Sequence, residues 1–428
     1  MYRQPITSML NLALSLTDAL DLISPRVMNH HRKVALIAYL LGVELNLPLT
    51  QRKNLLMAGV FHDIGALSLQ ERLDTLSFDI IEPHLHGETG YLLLRDFEPL
   101  SPVADIIRFH HVHWDYGKGR YLNGNPVLLE SHIIHLADRI SVLIPEQAAV
   151  LEQGPMIYRD IARFSGSWFQ PELVEAFGNL AGKECFWLDA AAASPTAPLC
   201  PIVDMDPVEL DLDMLDGLTK LFSRVIDFRS PFTVTHSSGV AATAEIMARM
   251  ADFSQKELRL IRAAGHLHDL GKLAIPTDIL NKPGKLSGSE WHTMRTHTYF
   301  GFRLLEKIPA LETVNKWASL HHERMDGSGY PFHLRGEELP LGSRIMAVAD
   351  VFAALTEDRP YRPGMSPSQA FETIAGMARS GGLDSYLVVL NAESQVLAQR
   401  RLAADLRARQ FDTYLALMKA LGGGWNDT

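Results

Sequence analysis

The chain has 428 residues, 47% of them apolar and 21% charged, with 50 acidic against 40 basic side chains for a net charge of −10. At roughly 150 residues per domain this length predicts two or three domains, each able to bury its own core, and the composition excludes fibrous and disordered chains. The acidic balance, with no basic run, argues against a long nucleic-acid partner, and two cysteines (Cys185 and Cys200) are too few for a disulfide framework and point to the reducing cytoplasm.

In chain order, the N-terminus carries Asp18 and Asp21 and lacks the basic-then-apolar pattern of an export signal. The longest apolar run, Ala35 to Val43, falls short of the roughly 20 residues of a membrane-spanning helix, so no span is expected. Residues 190–207 hold four prolines and no amphipathic period, which predicts a linker between an N-terminal domain over 1–189 and a C-terminal domain over 208–428. Ser254 with Glu257 is a capping box that opens an apolar-periodic helix (Leu258, Leu260, Ile261, Ala264, Leu267) ending on His268-Asp269 and Gly271. The segment NKPGKLSG (Asn281 to Gly288) reads as a loop, and Ser366-Pro367 as a cap with proline at the first helical position. Ala392 to Leu421 favours helix and stops at Gly422-Gly423-Gly424. Alternating strand patterns are scarce, so the expected class is all-α, as tandem helical bundles.

The 18 histidines organise the rest of the reading. His30, His62, Asp63, His86, His110, His111 and Asp138 form one series, and His236, His268, Asp269, His297, His321, His322 and Asp350 another. The spacing between counterparts is 206 residues for the first three, 211 for the next three and 212 for the last. Two short insertions account for all of it, the larger falling at NKPGKLSG. Ala58-Gly59 matches Ala264-Gly265, and Gly90 matches Gly301, so the chain contains a duplicated domain.

Imidazoles and carboxylates on rigid helices suit divalent metals, and a His-Asp pair at a helix end can offer one ligand to each of two ions. Five histidines and two aspartates suffice for two ions. An aspartate bridging ions roughly 3.5–4 Å apart is the usual arrangement of a two-metal hydrolase.

On these residues the C-terminal half resembles a known family. His236, His268-Asp269 and Asp350 are similar to the H…HD…D framework of the HD superfamily of metal-dependent phosphohydrolases. HLHDLGK (His266 to Lys272), HHERMDGSGYP (His321 to Pro331) and RIMAVADVFAALTEDRPYR (Arg344 to Arg362) resemble the signature of its HD-GYP subfamily, bacterial cyclic-dinucleotide phosphodiesterases, over about residues 210–390. The resemblance implies an all-helical domain that linearises a cyclic dinucleotide, cyclic di-GMP or 3′3′-cyclic GMP-AMP, to the 5′-phosphorylated dinucleotide and sometimes on to mononucleotides. It implies two divalent ions, iron or manganese by donor type, one held by His236, His268, Asp269 and Asp350 and the other by Asp269, His297, His321 and His322. Phe232 stands where some family members place an acidic ligand for a third ion. Lys272, one turn beyond the ligand pair, is expected to meet the scissile phosphate alongside catalytic Asp269. Gly327, Gly329, Tyr330 and Pro331 are expected beside the substrate, with Arg324 and Arg359 as further contacts to phosphate or guanine.

The N-terminal half keeps all seven ligand-type positions, so a metal there is expected too, but Ala66 replaces Lys272 and HHVHWDYGKGRYLNG lacks the Gly-Tyr-Pro triplet. A degenerate, regulatory domain is the expectation, with His113, His132 and His135 as ordinary residues outside the repeat. Two other readings of the whole chain are a non-catalytic cyclic-dinucleotide sensor that docks a signalling partner, and an HD phosphohydrolase of another nucleotide. Intact ligands with Lys272 and Tyr330 favour the phosphodiesterase. The sequence carries no sign of oligomeric state.

Overall fold

A computed structural model describes residues 6–21, 29–66, 69–78, 84–144, 150–192, 207–209, 211–228, 236–358 and 363–384. Phe232, Arg359, Cys200, most of the expected linker and the expected C-terminal helix lie outside the described residues. The described residues form two compact units, one within Ser8–Val208 and the other within Met1–Thr7 together with Glu209–Thr428. Strands among them are limited to two short pairs, Ile6–Ser8 with Pro207–Glu209 and Tyr121–Leu122 with Asn125–Pro126, so the fold is all-α. No helix among the described residues is long and apolar enough to cross a membrane.

Helix ends reproduce the spacing of the histidines. His30–Glu44 and Leu49–Phe61 correspond to His236–Met250 and Gln255–Leu267, with both ends of each displaced by 206 residues. Ser101–Arg108 and Glu312–Ser319 differ by 211. The helices that carry the last aspartates, Leu129–Leu143 and Leu341–Thr356, start 212 residues apart.

Local chemistry sets these boundaries. The Ser254 hydroxyl accepts from the Glu257 amide while the Glu257 carboxylate accepts from the Ser254 amide at 2.8 Å, which starts Gln255–Leu267 one residue after the cap. Leu258, Ile261, Ala264 and Leu267 then fall on one buried stripe. A second capping box, Ser287 with Glu290, starts Gly288–Glu306 directly after the inserted loop. Ser366 caps Pro367–Arg379.

Two recurrent glycines are explained by close approach. A Cβ at Gly59 would overlap the backbone of Ala35, and one at Gly265 would overlap Ala241, so each His-Asp helix packs flush on the helix that begins with the first histidine. A Cβ at Gly65 or Gly271 would strike the carbonyl of His86 or His297. That contact presses the turn after each His-Asp pair against the helix bearing the next ligand, and so brings ligands far apart in sequence into one centre.

Gly265→Ala is therefore expected to cost about 1–3 kcal/mol in denaturant unfolding, since the neighbouring helix backbone must move. Gly288→Ala, at an exposed position with open space around its Cα, is expected to be near neutral. Equal effects would contradict the packing argument.

Candidate metal centres

In the C-terminal unit, His236 begins one helix, His268 caps the next with Asp269 following it, and His297 lies within Gly288–Glu306. His321 and His322 follow Glu312–Ser319, and Asp350 lies within Leu341–Thr356. All seven converge. Asp269 Oδ2 lies 3.2 Å from His268 Nε2 and 3.8 Å from His236 Nε2, while its Oδ1 lies 3.6 Å from His297 Nε2. Asp350 Oδ1 lies 3.1 Å from His236 Nε2, and its Oδ2 lies 4.0 Å from His322 Nδ1. Asp269 thus stands between two histidine groups, as a bridging ligand must. Lys272 Nζ donates to Asp269 Oδ2 at 2.6 Å.

The imidazoles are oriented for metal. Nδ1 of His268, His297 and His321 donates to the carbonyls of Gly265, Met294 and Ala318 at 2.8, 2.7 and 2.6 Å. This leaves each Nε2 lone pair aimed inward, buried and without a hydrogen-bond partner. Such an arrangement costs free energy unless a cation completes it, so the donor set fits a divalent metal. Burial pushes His297 down to about 3 and His322 down to about 4, which keeps these rings neutral and able to coordinate. Burial works against the Asp269 carboxylate, but His268 and Lys272 hold it well below the usual range. His236 is the exception: burial opposes its protonation, yet Glu357 and Asp350 raise it to about 10. Glu357 Oε2 accepts from His236 Nδ1 at 2.9 Å and fixes the ring with Nε2 toward Asp350.

The loop after the histidine pair is held by Glu323, a buried carboxylate that accepts from the amides of Phe332 at 2.6 Å and Leu334 at 3.1 Å. The Tyr330 amide donates to the His322 carbonyl at 3.1 Å, and the ring centroids of these residues lie 4.9 Å apart. The Arg295 guanidinium caps the Tyr330 ring at 4.5 Å. Burial, then Asp350, raises the Tyr330 hydroxyl, so it remains a donor. Gly329 is required by its own chain, because a Cβ there would strike the backbone of Glu323 and Arg324. Gly327 takes a left-handed conformation, φ 81°, and Pro331 completes the turn. Arg324 is exposed and makes no ion pair among the described residues.

Sequence reasoning missed Glu323, Glu357 and Arg295. A signal existed for the first: Glu323 directly follows the histidine pair, where the N-terminal half has Val112.

The N-terminal unit repeats the arrangement distance for distance. His30–Asp138 is 3.2 Å, His62–Asp63 3.3 Å, His86–Asp63 3.4 Å and His111–Asp138 4.0 Å, against 3.1, 3.2, 3.6 and 4.0 Å for the counterparts. His62 Nδ1 and His110 Nδ1 likewise donate to the carbonyls of Gly59 and Ile107 at 2.8 and 2.6 Å. Ala66 provides no cation, and the Thr75 hydroxyl donates to Asp63 Oδ2 at 2.8 Å instead.

Comparison with known proteins finds two HD-domain family matches, over residues 27–143 and 220–387. The chain is 31% identical over 400 residues to 3′3′-cGAMP-specific phosphodiesterase 1 of Vibrio cholerae, covering 90% of this chain and 91% of that one. It is 42% identical over 142 residues to the cyclic di-GMP phosphodiesterase response regulator RpfG of Xanthomonas campestris, covering 33% of this chain and 38% of that one. The fold is shared with the crystal structure of a cyclic GMP-AMP-specific phosphodiesterase of Vibrio cholerae, with a TM-score of 0.59, 23% identity, and 90% and 97% of the two chains covered.

Glu357→Gln is expected to weaken metal binding by 10- to 100-fold, the usual cost of losing a carboxylate that orients a histidine ligand, as read by chelator competition. Unchanged affinity would show that Glu357 does not orient His236.

Proposed function

Because this chain belongs to the HD-GYP family of metal-dependent cyclic-dinucleotide phosphodiesterases, we propose that its C-terminal half linearises 3′3′-cyclic GMP-AMP in preference to cyclic di-GMP, in the cytoplasm where such messengers circulate. The observation that carries the catalytic assignment is the Asp269 carboxylate, buried between two groups of inward-facing histidines with Lys272 beside it. The substrate preference is supported by architecture. Two relatives that match 90% and 66% of this chain are named as 3′3′-cGAMP-specific, whereas relatives named for cyclic di-GMP match 31–43% of it, as does a third named as 3′3′-cGAMP-specific, at 37%.

His236, His268, Asp269 and Asp350 would hold one ion and Asp269, His297, His321 and His322 the other, with iron or manganese suited to this donor set. When bound, such ions supply Lewis acidity and a nucleophilic water at neutral pH. The remaining work falls to the chain. Lys272, with a fifth of its side chain exposed, can leave Asp269 to meet a non-bridging phosphate oxygen and the charge that develops on it. The Tyr330 hydroxyl, held protonated, donates toward the substrate beside His322, and Arg295 fixes its ring. Arg324, exposed on the same loop, would contact a second phosphate or a base. Water adds to phosphorus, the bond from phosphorus to the 3′-oxygen breaks, a proton ends on that oxygen, and the product keeps its 5′-phosphate. The N-terminal half serves as a regulatory domain.

Protein purified without oxygen and loaded with iron or manganese is expected to convert 3′3′-cyclic GMP-AMP faster than cyclic di-GMP to a linear dinucleotide, resolved by chromatography; turnover of neither would overturn the proposal. In the same assay Asp269→Ala should abolish turnover, and Lys272→Ala should lower it by about 10² with metal retained, as loss of one transition-state charge donor does. Asp63→Ala should keep a substantial part of the activity. Equal loss for Asp269→Ala and Asp63→Ala would contradict the division between the halves.

A further inference from the structure

The two centres share their ligands but differ in what surrounds them. In the C-terminal centre His322 is 30% exposed and Asp350 12% exposed at the side chain, so the site opens to solvent on that side. Their counterparts His111 and Asp138 are 3% and 1% exposed. Catalytic metal sites keep an open position, whereas structural sites are closed and usually have four ligands.

The closure has identifiable parts. Arg139, fully buried, stands where the C-terminal half has Val351. Its Nη2 donates to Asp138 Oδ2 at 2.6 Å and to the Thr75 carbonyl at 2.8 Å, and its Nη1 donates to the carbonyls of Ser77 and Phe78. One guanidinium therefore neutralises a ligand carboxylate and ties the segment Thr75–Phe78 over the centre. Phe78 stacks on Trp168 at 5.3 Å, and Trp168 stacks on His113 at 4.5 Å. His135, which replaces Ala347, fills the space between that stack and His111. His113 and His135, expected to be ordinary residues, are part of this seal.

Beneath it, ligand atoms of Asp63, His86, His110 and His111 all lie within 4.8 Å of one another, and all four residues are buried. His86 Nε2 lies 3.3 Å from His110 Nε2 and 3.4 Å from Asp63 Oδ1. Tetrahedral ligands at 2.0–2.1 Å from a zinc ion sit roughly 3.4 Å apart. Asp63 Oδ1 and His111 Nε2 are buried with no hydrogen-bond partner, and so are His30 Nε2, His62 Nε2 and Asp138 Oδ1 on the other side of Asp63, where His30, His62 and Asp63 form a second group, so geometry alone does not set the number of ions.

Charge decides the number of ions. Among the described residues the C-terminal centre gathers three carboxylates, Asp269, Asp350 and Glu357, and one part-exposed cation, Lys272. Two divalent ions leave it an excess of two positive charges on the side open to solvent. The N-terminal centre has two carboxylates, Asp63 and Asp138, and one fixed guanidinium. One divalent ion leaves it an excess of one; a second would leave an excess of three charges in a dry interior, which is strongly unfavourable.

We propose that the N-terminal half carries a separate, closed metal site of structural type, in which Asp63, His86, His110 and His111 hold one divalent ion of zinc type while the buried Arg139 takes the place of a second ion against Asp138.

The test is metal content of the full chain after loading with zinc chloride and removal of loosely held metal. Asp269→Ala, which lacks the C-terminal bridge, is expected to retain one ion per chain. Adding His86→Gln is expected to remove that ion and lower Tm. Retention of none, or of two, in the Asp269→Ala chain would overturn the proposal, whatever the C-terminal half hydrolyses. If that variant does not fold, the wild-type chain serves: His86→Gln alone is expected to hold one ion fewer than the wild type, and a loss of none or of two would overturn the proposal.

Discussion

Everything in each unit is arranged around one buried carboxylate placed between two sets of imidazoles. Asp269 and Asp63 have almost no exposure, and each faces histidines from helices that are distant in sequence. An isolated carboxylate in that position would be driven to protonate. Here the surrounding rings hold it ionised, and the carbonyls that fix those rings also fix where their lone pairs point. Helix lengths, caps and the glycines at 65 and 271 follow from the need to bring these groups within a few ångströms.

Duplication then sets one ligand set in two different surroundings. The difference lies not in the seven shared positions but in the residues next to them. Glu323 holds an open loop that presents Tyr330 beside His322, whereas Val112 cannot, and the corresponding N-terminal backbone bonds instead to the turn at Gly166–Trp168. Lys272 is part-exposed and donates to Asp269, whereas Arg139 is buried and donates to four acceptors. The cation beside the C-terminal centre is thus part-exposed, and the one beside the N-terminal centre lies buried next to a stack of rings.

Much of this was legible in the sequence because ligand spacing is a one-dimensional record of helix length and packing. The displacements of 206, 211 and 212 residues recur in the helix boundaries, and the Ser254–Glu257 and Ser366–Pro367 signals fall at real helix starts. What could not be read was set by contacts across the fold. Glu357 reaches a histidine 121 residues away, and Arg139 reaches carbonyls more than 60 residues away. No local pattern encodes those pairings. Gly329 shows the same limit: its glycine character is visible, but the need for it comes from the Glu323–Arg324 backbone.

The central proposal is that Asp269 would bridge a pair of ions in an open site. Anomalous X-ray diffraction at the metal edge, from crystals of the full chain loaded with manganese, tests it most directly. The account requires two peaks flanking Asp269, roughly 3.5–4 Å apart, with histidine ligands on both sides. A single peak there, or two peaks that do not share Asp269, would contradict it.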